Sequence, residues 1–133
     1  MDKIILVETL KVSSSHREEM IDLTRDVENR LPVGDGVCVL FVQHTTCGLT
    51  VNENADPDVQ TDMLGFLKRL IPQHEPHFRH GEENSDAHIK ATLVGSSVMV
   101  PFANGKLVLG RWQAIYLCEF DGPRDRKVVM KAL

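Results

Sequence analysis

Short runs of hydrophobic residues, each bounded by glycine, proline or polar residues, recur along this chain and predict a protein rich in β-strands. The run at 37–42 is nearly uninterrupted and partly β-branched, which predicts a strand buried on both faces. Asn104-Gly105, between two such runs, is a strong signal for a tight hairpin. The runs give six or seven strands, at 3–10, 37–42, 49–52, 98–102, 107–109, 112–120 and 128–133.

A first helix is predicted where hydrophobic residues recur every three or four positions. It follows the serines at 13–15, because Ser15 and Glu18 form a capping-box pattern. Pro32 and Gly34 end the segment. Its apolar face would consist of Met20, Leu23, Val27 and Leu31.

Two further helices are predicted from the residues at their ends. Asp56 is placed as the N-cap of the second helix and Pro57 as its first residue, and Pro72 ends it. Asn84 or Ser85 is placed as the cap of the third helix, which is closed by Gly95. Because strands often follow one another without an intervening helix, we predict an α+β fold. It would be a single domain with a mostly antiparallel, β-sandwich-like sheet and three helices.

The composition supports one globular domain. The chain has 133 residues, of which 42% are hydrophobic and 26% charged, and a domain of this size buries roughly two thirds of its unfolded surface. Such a core needs neither a disulfide nor a metal for stability. Any bound metal is therefore expected to be functional.

The distribution of charge along the chain limits the kinds of molecule that the protein is expected to bind. The net charge is −4, and no basic stripe is present, which argues against a dedicated nucleic-acid binder. Residues 44–88 hold eight acidic and three basic side chains, whereas residues 101–133 hold six basic and three acidic ones. This asymmetry suits a metal ion together with an anionic ligand, and the expected partner is a small phosphorylated metabolite. The alternative is two ordinary solvated faces.

The cysteines and the lengths of the apolar runs indicate the cellular compartment in which the protein is expected. The three cysteines, Cys38, Cys47 and Cys118, are far apart in sequence and form no CxxC pair, which is typical of reduced thiols. No apolar run approaches the length of a membrane span. The first four residues lack the pattern of a signal peptide. We therefore expect a cytoplasmic protein that does not cross a membrane.

Four histidines are candidate metal ligands: His44, His77, His80 and His88. They belong to three predicted elements, namely the end of a buried strand, a polar loop and the first turn of the third helix. Three histidines and a water are a usual catalytic zinc site. We therefore predict a bound divalent cation, with zinc preferred to magnesium. Its ligands would be His44, His88 and one or both of the loop histidines. The alternative is separate capping or surface histidines, since the spacing matches no standard zinc motif.

The segment 44–57 is the densest polar stretch next to a core strand. Glu53 and Asp56 could act as bases or orient a ligating histidine. The hydroxyl groups of Thr45 and Thr46 could donate hydrogen bonds to an anion. Helix capping accounts for Asp56 without any function, whereas Glu53 has no obvious structural role.

Two further segments could line a pocket. The only tryptophan, Trp112, stands beside Gln113 among polar neighbours, although a lone tryptophan is usually a core residue. Arg124 and Arg126 follow a turn and suit phosphate contacts. The alternative for the arginines is a solvated basic turn.

Several motifs together resemble one protein family across nearly the whole chain. They are HTTCGLTVNENADP at 44–57, AHIK at 87–90, the residues 105–116 that include GRWQAIY, and DGPRDRKV at 121–128. The family is the small, widespread group called secondary thiamine-phosphate synthase enzyme. The resemblance implies an α+β fold, a homotrimer, and a pocket near a subunit interface that often holds a metal.

The resemblance also implies an activity and a set of residues. The activity is weak synthesis of thiamine phosphate from a pyrimidine pyrophosphate and a thiazole phosphate. The family's histidines fall on His44, His77 and His88, while relatives can carry a glutamate in place of His80. The family's acidic and amide positions correspond to Glu53, Asn54 and Asp56, and its Trp-Gln pair corresponds to Trp112 and Gln113.

Three hypotheses follow from the residues and the resemblance together. The first is a thiamine-phosphate synthase, in which a divalent cation neutralises the leaving pyrophosphate and Arg124 or Arg126 helps to hold an anion. A three-histidine site favours zinc over magnesium, so a zinc-dependent hydrolase of a phosphorylated or acyl substrate is an alternative. The third hypothesis is a trimeric protein without catalytic activity, whose histidines bind a metal or ligand or only pack at an interface.

Overall fold

The computed structural model describes residues 7–133 of the chain. Within that range the backbone forms eight strands and three helices. In chain order these are β1 (Val7–Ser13), β2 (Glu19–Asp22), α1 (Thr24–Asn29), β3 (Gly36–Val42), β4 (Cys47–Glu53), α2 (Pro57–Leu70), α3 (Ser85–Val94), β5 (Ser97–Ala103), β6 (Lys106–Leu107), β7 (Gln113–Glu119) and β8 (Asp125–Ala132).

The strands form two sheets. A five-stranded sheet has the order β1-β8-β3-β5-β6, and a three-stranded sheet has the order β2-β7-β4. Each strand pair within the described residues is antiparallel. The prediction of a single α+β domain with mostly antiparallel sheets and three helices is confirmed.

The main core contains the inward-facing side chains of both sheets. On β3, Cys38, Leu40 and Val42 are buried, whereas Val37 and Phe41 are exposed. The prediction that this strand is buried on both faces is therefore wrong. The five-stranded sheet contributes one face to the core, so β3 alternates between core and surface in spite of its uniformly apolar sequence.

The prediction of the first helix is also wrong over most of its length. Residues 19–22 form strand β2, in which Met20 pairs with Cys118 of β7. The capping box does not form, because the backbone N–H groups of Ser15 and His16 donate to Glu19 instead of Glu18. Only the six residues of α1 are helical. Pairing with a strand almost a hundred residues away thus overrides the helical spacing.

The other two helices and the hairpin lie where they were predicted, although the Asn84 side chain makes no capping hydrogen bond at the start of α3. Asp56 is the N-cap of α2, and its side chain accepts a hydrogen bond of 2.9 Å from the amide of Asp58. The third helix ends at Gly95, whose φ is +100°. Asn104 and Gly105 join β5 to β6. Residues 3–6, part of the predicted first strand, lie outside the described residues.

No helix within residues 7–133 combines the length and apolarity needed to cross a membrane.

Candidate functional site

A polar cleft of about 430 Å³ opens where three loops meet. These are the loop after β3, the loop before α3 and the turn between β7 and β8. The volume is in the range of small-molecule sites. The lining residues are Gln43, His44, Thr45, Thr46, His80, Glu82, Asn84, His88, Asp121, Arg124 and Arg126.

A buried ion pair fixes the floor of the cleft. Arg126 is 3% exposed and Glu119 is fully buried, and the guanidinium group of Arg126 donates to the carboxylate through both Nε and Nη2. The same Nη2 donates to Oγ1 of Thr46 at 2.9 Å. Arg126 therefore holds the loop after β3 against the sheet.

The charge of Arg126 is neutralised within the protein. Burial raises the pKa of Glu119, but hydrogen bonds from Arg126 and Ser14 outweigh that effect and hold its pKa below the ordinary value. The carboxylate is thus ionised at neutral pH and accepts the hydroxyl of Ser14 at 2.7 Å. Arg126 is a positioning residue and is not available as a free anion ligand.

His44 is held in one tautomer by the backbone. The amide N–H of Lys127 donates to Nε2 of His44 at 2.9 Å, so Nε2 carries no proton and the neutral ring has its proton on Nδ1. Burial, followed by the nearby charge of Arg126, lowers the pKa of His44. In this conformation the ring offers an N–H donor and no free lone pair for a metal.

The rings of His80 and His88 lie next to each other in the cleft. Their ring centroids lie 5.6 Å apart in an edge-to-face arrangement. His88 lies near the start of α3, and His80 lies in the loop that precedes this helix. Glu82 Oε2 is 3.7 Å from His80 Nε2. Two imidazole rings and a carboxylate thus lie on one side of the cleft.

Asn84, Asp121 and Arg124 form a second polar group in the same cleft. Asn84 Nδ2 and Arg124 Nη2 each donate to Asp121 Oδ2 at 2.8 Å. The Arg124 side chain is half exposed. The Arg124 side chain is therefore held in place and can still reach a bound ligand.

The residues predicted for the site thus fall into two groups. His44, Thr45, Thr46, His80, His88 and Arg124 line the cleft, whereas His77, Glu53, Asn54, Asp56, Trp112 and Gln113 are not among its lining residues. His77 is exposed, and its amide donates to Glu75. Of the two loop histidines, the structure therefore places only His80 beside His44 and His88.

Glu53, Asn54, Trp112 and Gln113 of the second group lie at the far end of the β4–β7 pair. Glu53 is the register partner of Gln113, and its carbonyl oxygen accepts the hydroxyl of Tyr116 at 3.0 Å. The amide of Asn54 donates to the carbonyl of Trp112 at 3.0 Å. These contacts give the backbone around Glu53 a structural role that the sequence did not reveal.

Trp112 and Gln113 are surface residues. Trp112 is 53% exposed, and the guanidinium of Arg111 lies 4.7 Å from the centre of its ring. The side chain of Gln113 accepts the amide N–H of Gly110 at 2.8 Å. Gln113 therefore closes the turn before β7.

Sequence reasoning missed three contributors to the cleft, namely Gln43, Asp121 and the side chain of Asn84. One signal was available for Asn84: His80, Asn84 and His88 are spaced four residues apart, which brings side chains to one face near a helix. No comparable local signal marks Asp121 or the pairing of Glu119 with Arg126, because β7 and β8 belong to different sheets and their contacts are set by tertiary packing.

A second buried charge cluster fixes α3 from the side away from His88. Asp86 is fully buried and accepts hydrogen bonds from Arg17 at 2.9 and 3.1 Å and from Lys90 at 2.8 Å. Lys90 is 1% exposed and also donates to Glu18 at 2.6 Å. The cluster joins the β1–β2 loop to the helix that carries His88.

Comparison with known proteins decides the family. Residues 8–133 match the family model described as UPF0047 protein YjbQ-like. The chain belongs to this family. It is 45% identical over 131 residues to the UPF0047 protein YugU of Bacillus subtilis, covering 96% of this chain and 99% of that protein. A UPF0047 protein of Methanocaldococcus jannaschii is 45% identical over 126 residues, covering 92% and 91% of the two chains.

Solved structures of UPF0047 relatives and similar proteins share the fold. A UPF0047 family protein from Clostridium acetobutylicum superposes with a TM-score of 0.91 at 47% identity, over 95% of this chain and 99% of that one. A conserved hypothetical protein from Thermus thermophilus gives a TM-score of 0.92 at 48% identity, over the same shares.

These findings correct the family assignment made from the motifs. The match is to the UPF0047 family, and the resemblance to the secondary thiamine-phosphate synthase enzyme family was wrong as an assignment. The thiamine phosphate synthesis that the resemblance implied has no support from these relatives, whose names state no activity. The cleft is therefore the feature of this protein that bears on its function.

Proposed function

We propose that this UPF0047 protein is a metal-dependent hydrolase of a small phosphorylated metabolite. The observation that carries the proposal is the convergence of His44, His80 and His88 with Arg124 in one cleft. Imidazole groups favour zinc among the common divalent cations. A bound divalent cation would supply an activated water and polarise the phosphoryl group.

The charge of the cleft supports a cation as part of the site. Among the lining residues, Glu82 and Asp121 balance Arg124 and Arg126, and Glu119 already neutralises Arg126. The protein alone therefore gives an anionic ligand little net attraction. A divalent cation would change the sign of the local charge.

The residues present fit a cation in part. Within residues 7–133, no three histidine, cysteine, aspartate or glutamate side chains are grouped closely enough to hold a metal ion by themselves. His80 and His88 present adjacent rings, and both would be ligands. His44 does not fit as a ligand in its described conformation, because a metal on Nδ1 would require the ring proton to move to Nε2, where it would meet the N–H of Lys127.

The remaining roles follow from the fixed positions of the side chains. His44 would donate its Nδ1–H to a ligand oxygen, and Arg124 would hold the phosphate from the solvent side. Thr45 borders the same cleft and would add a hydroxyl. These groups bind and orient the substrate without providing a nucleophile.

The direct test is hydrolysis by the untagged protein loaded with zinc. p-Nitrophenyl phosphate and p-nitrophenyl acetate distinguish a phosphorylated from an acyl substrate. We expect phosphate release by the wild type, and a loss in kcat/KM of about 100-fold or more in His88→Ala, in line with removing a group that stabilises developing charge.

His77→Ala is the matched control, because His77 is exposed and does not line the cleft. It should retain wild-type activity. Equal rates in wild type and His88→Ala, or no zinc-dependent hydrolysis of either ester, would remove the support for a hydrolase. Binding of inorganic phosphate without turnover would favour the second candidate, a trimeric metal- and ligand-binding protein.

The exposed face of the five-stranded sheet supports a homotrimer as a further proposal. Met99 is 72% exposed, Phe41 44% and Val37 37%, and all lie on adjacent strands β3 and β5. Exposed apolar clusters of this kind mark association surfaces. The occupant we propose is a second copy of the chain.

Introduction of a charge on this face should separate the subunits. We expect light scattering to give the mass of three chains for wild type and of one chain for the double variant Phe41→Asp/Met99→Asp. Val33→Asp is the control, since Val33 is 97% exposed in a loop, and it should stay trimeric. A monomeric wild type would contradict the proposal.

The three cysteines support a cytoplasmic location as part of the same proposal. All are buried and unpaired, and burial raises the pKa of the Cys38 and Cys47 thiols to about 11. Such thiols are protonated at neutral pH and suit a reducing compartment.

A further inference from the structure

Asn84 occupies the N-cap position of α3 without capping the helix. An asparagine at this position normally accepts a hydrogen bond from a backbone N–H of the first turn. Here the side chain makes no such bond. It is nevertheless 4% exposed, lines the cleft and is turned toward Asp121. Helix stability therefore does not explain its orientation.

The amide of Asn84 has one orientation that its neighbours allow. Nδ2 donates to Asp121 Oδ2 at 2.8 Å, and the reversed amide would bring two acceptor oxygens together. The carbonyl oxygen Oδ1 is thus fixed, buried and without a hydrogen-bond partner. Buried acceptors are almost always paired, so an unpaired one at a cleft indicates a missing partner.

The residues around Asn84 identify the chemistry of that partner. His80 precedes Asn84 by four residues and His88 follows it by four, and the two rings are in edge contact. The backbone ties these positions together, because the carbonyl oxygen of Asn84 accepts the amide of His88 at 3.3 Å. Two imidazole nitrogens and an amide oxygen are a mixed donor set that suits a borderline divalent cation.

We propose that His80, Asn84 and His88 form a divalent-cation site in which Asn84 Oδ1 is the oxygen ligand. The inference rests on the proposed function and refines it, since it adds Asn84 to His80 and His88 as a third ligand. Asp121 is then a positioning residue, because its carboxylate fixes the direction of Oδ1. The donor set selects zinc or cobalt over magnesium and calcium, which prefer sites built from oxygen alone.

Calorimetric titration of the untagged, metal-free protein with zinc, and absorption spectroscopy with cobalt, test the site without any activity assay. Asn84→Ala is expected to raise the dissociation constant by about 10- to 100-fold, the range seen when support of a metal site is lost. His44→Ala should leave cation affinity unchanged, and Asn54→Ala provides an exposed asparagine as the control.

A second measurement does not depend on how the variants fold. In a nuclear magnetic resonance titration of wild type, the side-chain amide of Asn84 and the rings of His80 and His88 should shift with zinc and broaden with cobalt. An amide that stays unmoved at saturation, or zinc affinity that falls with His44→Ala but not with Asn84→Ala, would overturn the inference.

The two proposals fail separately. Cation binding that depends on Asn84 but brings no hydrolysis would uphold this inference and overturn the hydrolase. Zinc-dependent hydrolysis that is unchanged in Asn84→Ala would uphold the hydrolase and overturn the site.

Discussion

Replacement of Arg126 by methionine is expected to destabilise the fold by about 3–5 kcal/mol, the cost of leaving a buried charge without its partner. Glu119 is fully buried, and in this variant its carboxylate would keep Ser14 but lose the guanidinium group. Thr46 would also lose the hydrogen bond to Nη2. The loop that carries His44 and Thr45 would then be less firmly held.

Urea denaturation followed by circular dichroism measures this effect as a change in the free energy of unfolding. The double variant Arg126→Met/Glu119→Leu separates the cost of an unpaired charge from the value of the pair. We expect it to recover much of the lost stability, because an apolar pair of similar volume is often as stable as a buried ion pair. A single variant within about 1 kcal/mol of wild type would contradict the burial argument.

The second large effect is expected at Asp86. Asp86→Ala removes the acceptor shared by Arg17 and Lys90, and Lys90 is 1% exposed with Glu18 as its remaining partner. We expect a loss of about 3–5 kcal/mol, again the penalty for an unmatched buried charge. The loss should be measured by urea denaturation at neutral pH. The control is Asp26→Ala, because Asp26 is an exposed surface partner of Arg30 and should cost about 1 kcal/mol or less.

The pH dependence of Asp86→Ala provides an independent check. Burial raises the pKa of Asp86, but hydrogen bonds from Arg17 and Lys90 outweigh it and lower the pKa below the ordinary value. A carboxyl group with a lowered pKa stabilises the fold above its ordinary pKa, and this stabilisation is lost as the pH falls through the lowered value. Below about pH 4, the free energy of unfolding should therefore decline less steeply in Asp86→Ala than in wild type. Parallel slopes would show that Asp86 is not held ionised.

The parts of the fold that were predictable depend on neighbours in the sequence. Asp56 and Pro57 begin α2, Gly95 ends α3, and Asn104-Gly105 forms a hairpin, as expected. Each of these signals acts over a few residues, because caps and tight turns are set by local backbone geometry and short hydrogen bonds.

The parts that were not predictable depend on distant partners. Residues 19–22 have helical spacing, yet they form β2 because β7 offers an unpaired edge and a register that aligns Met20 with Cys118. The run at 37–42 is apolar at every position, yet one of its faces is exposed. A local pattern cannot specify which sheet edge a segment meets or whether a second layer covers it.

For the candidate site, the sequence by itself determined the donor types and the elements that carry them: histidines after a core strand, in a polar loop and on the third helix. Tertiary structure alone decided that His80 lines the cleft and His77 does not, that the amide of Lys127 occupies His44 Nε2, and that Glu119 neutralises Arg126. The physical reason is that these contacts join residues across loops and strand pairs, where the register and direction of each side chain are set by the packing of the whole domain.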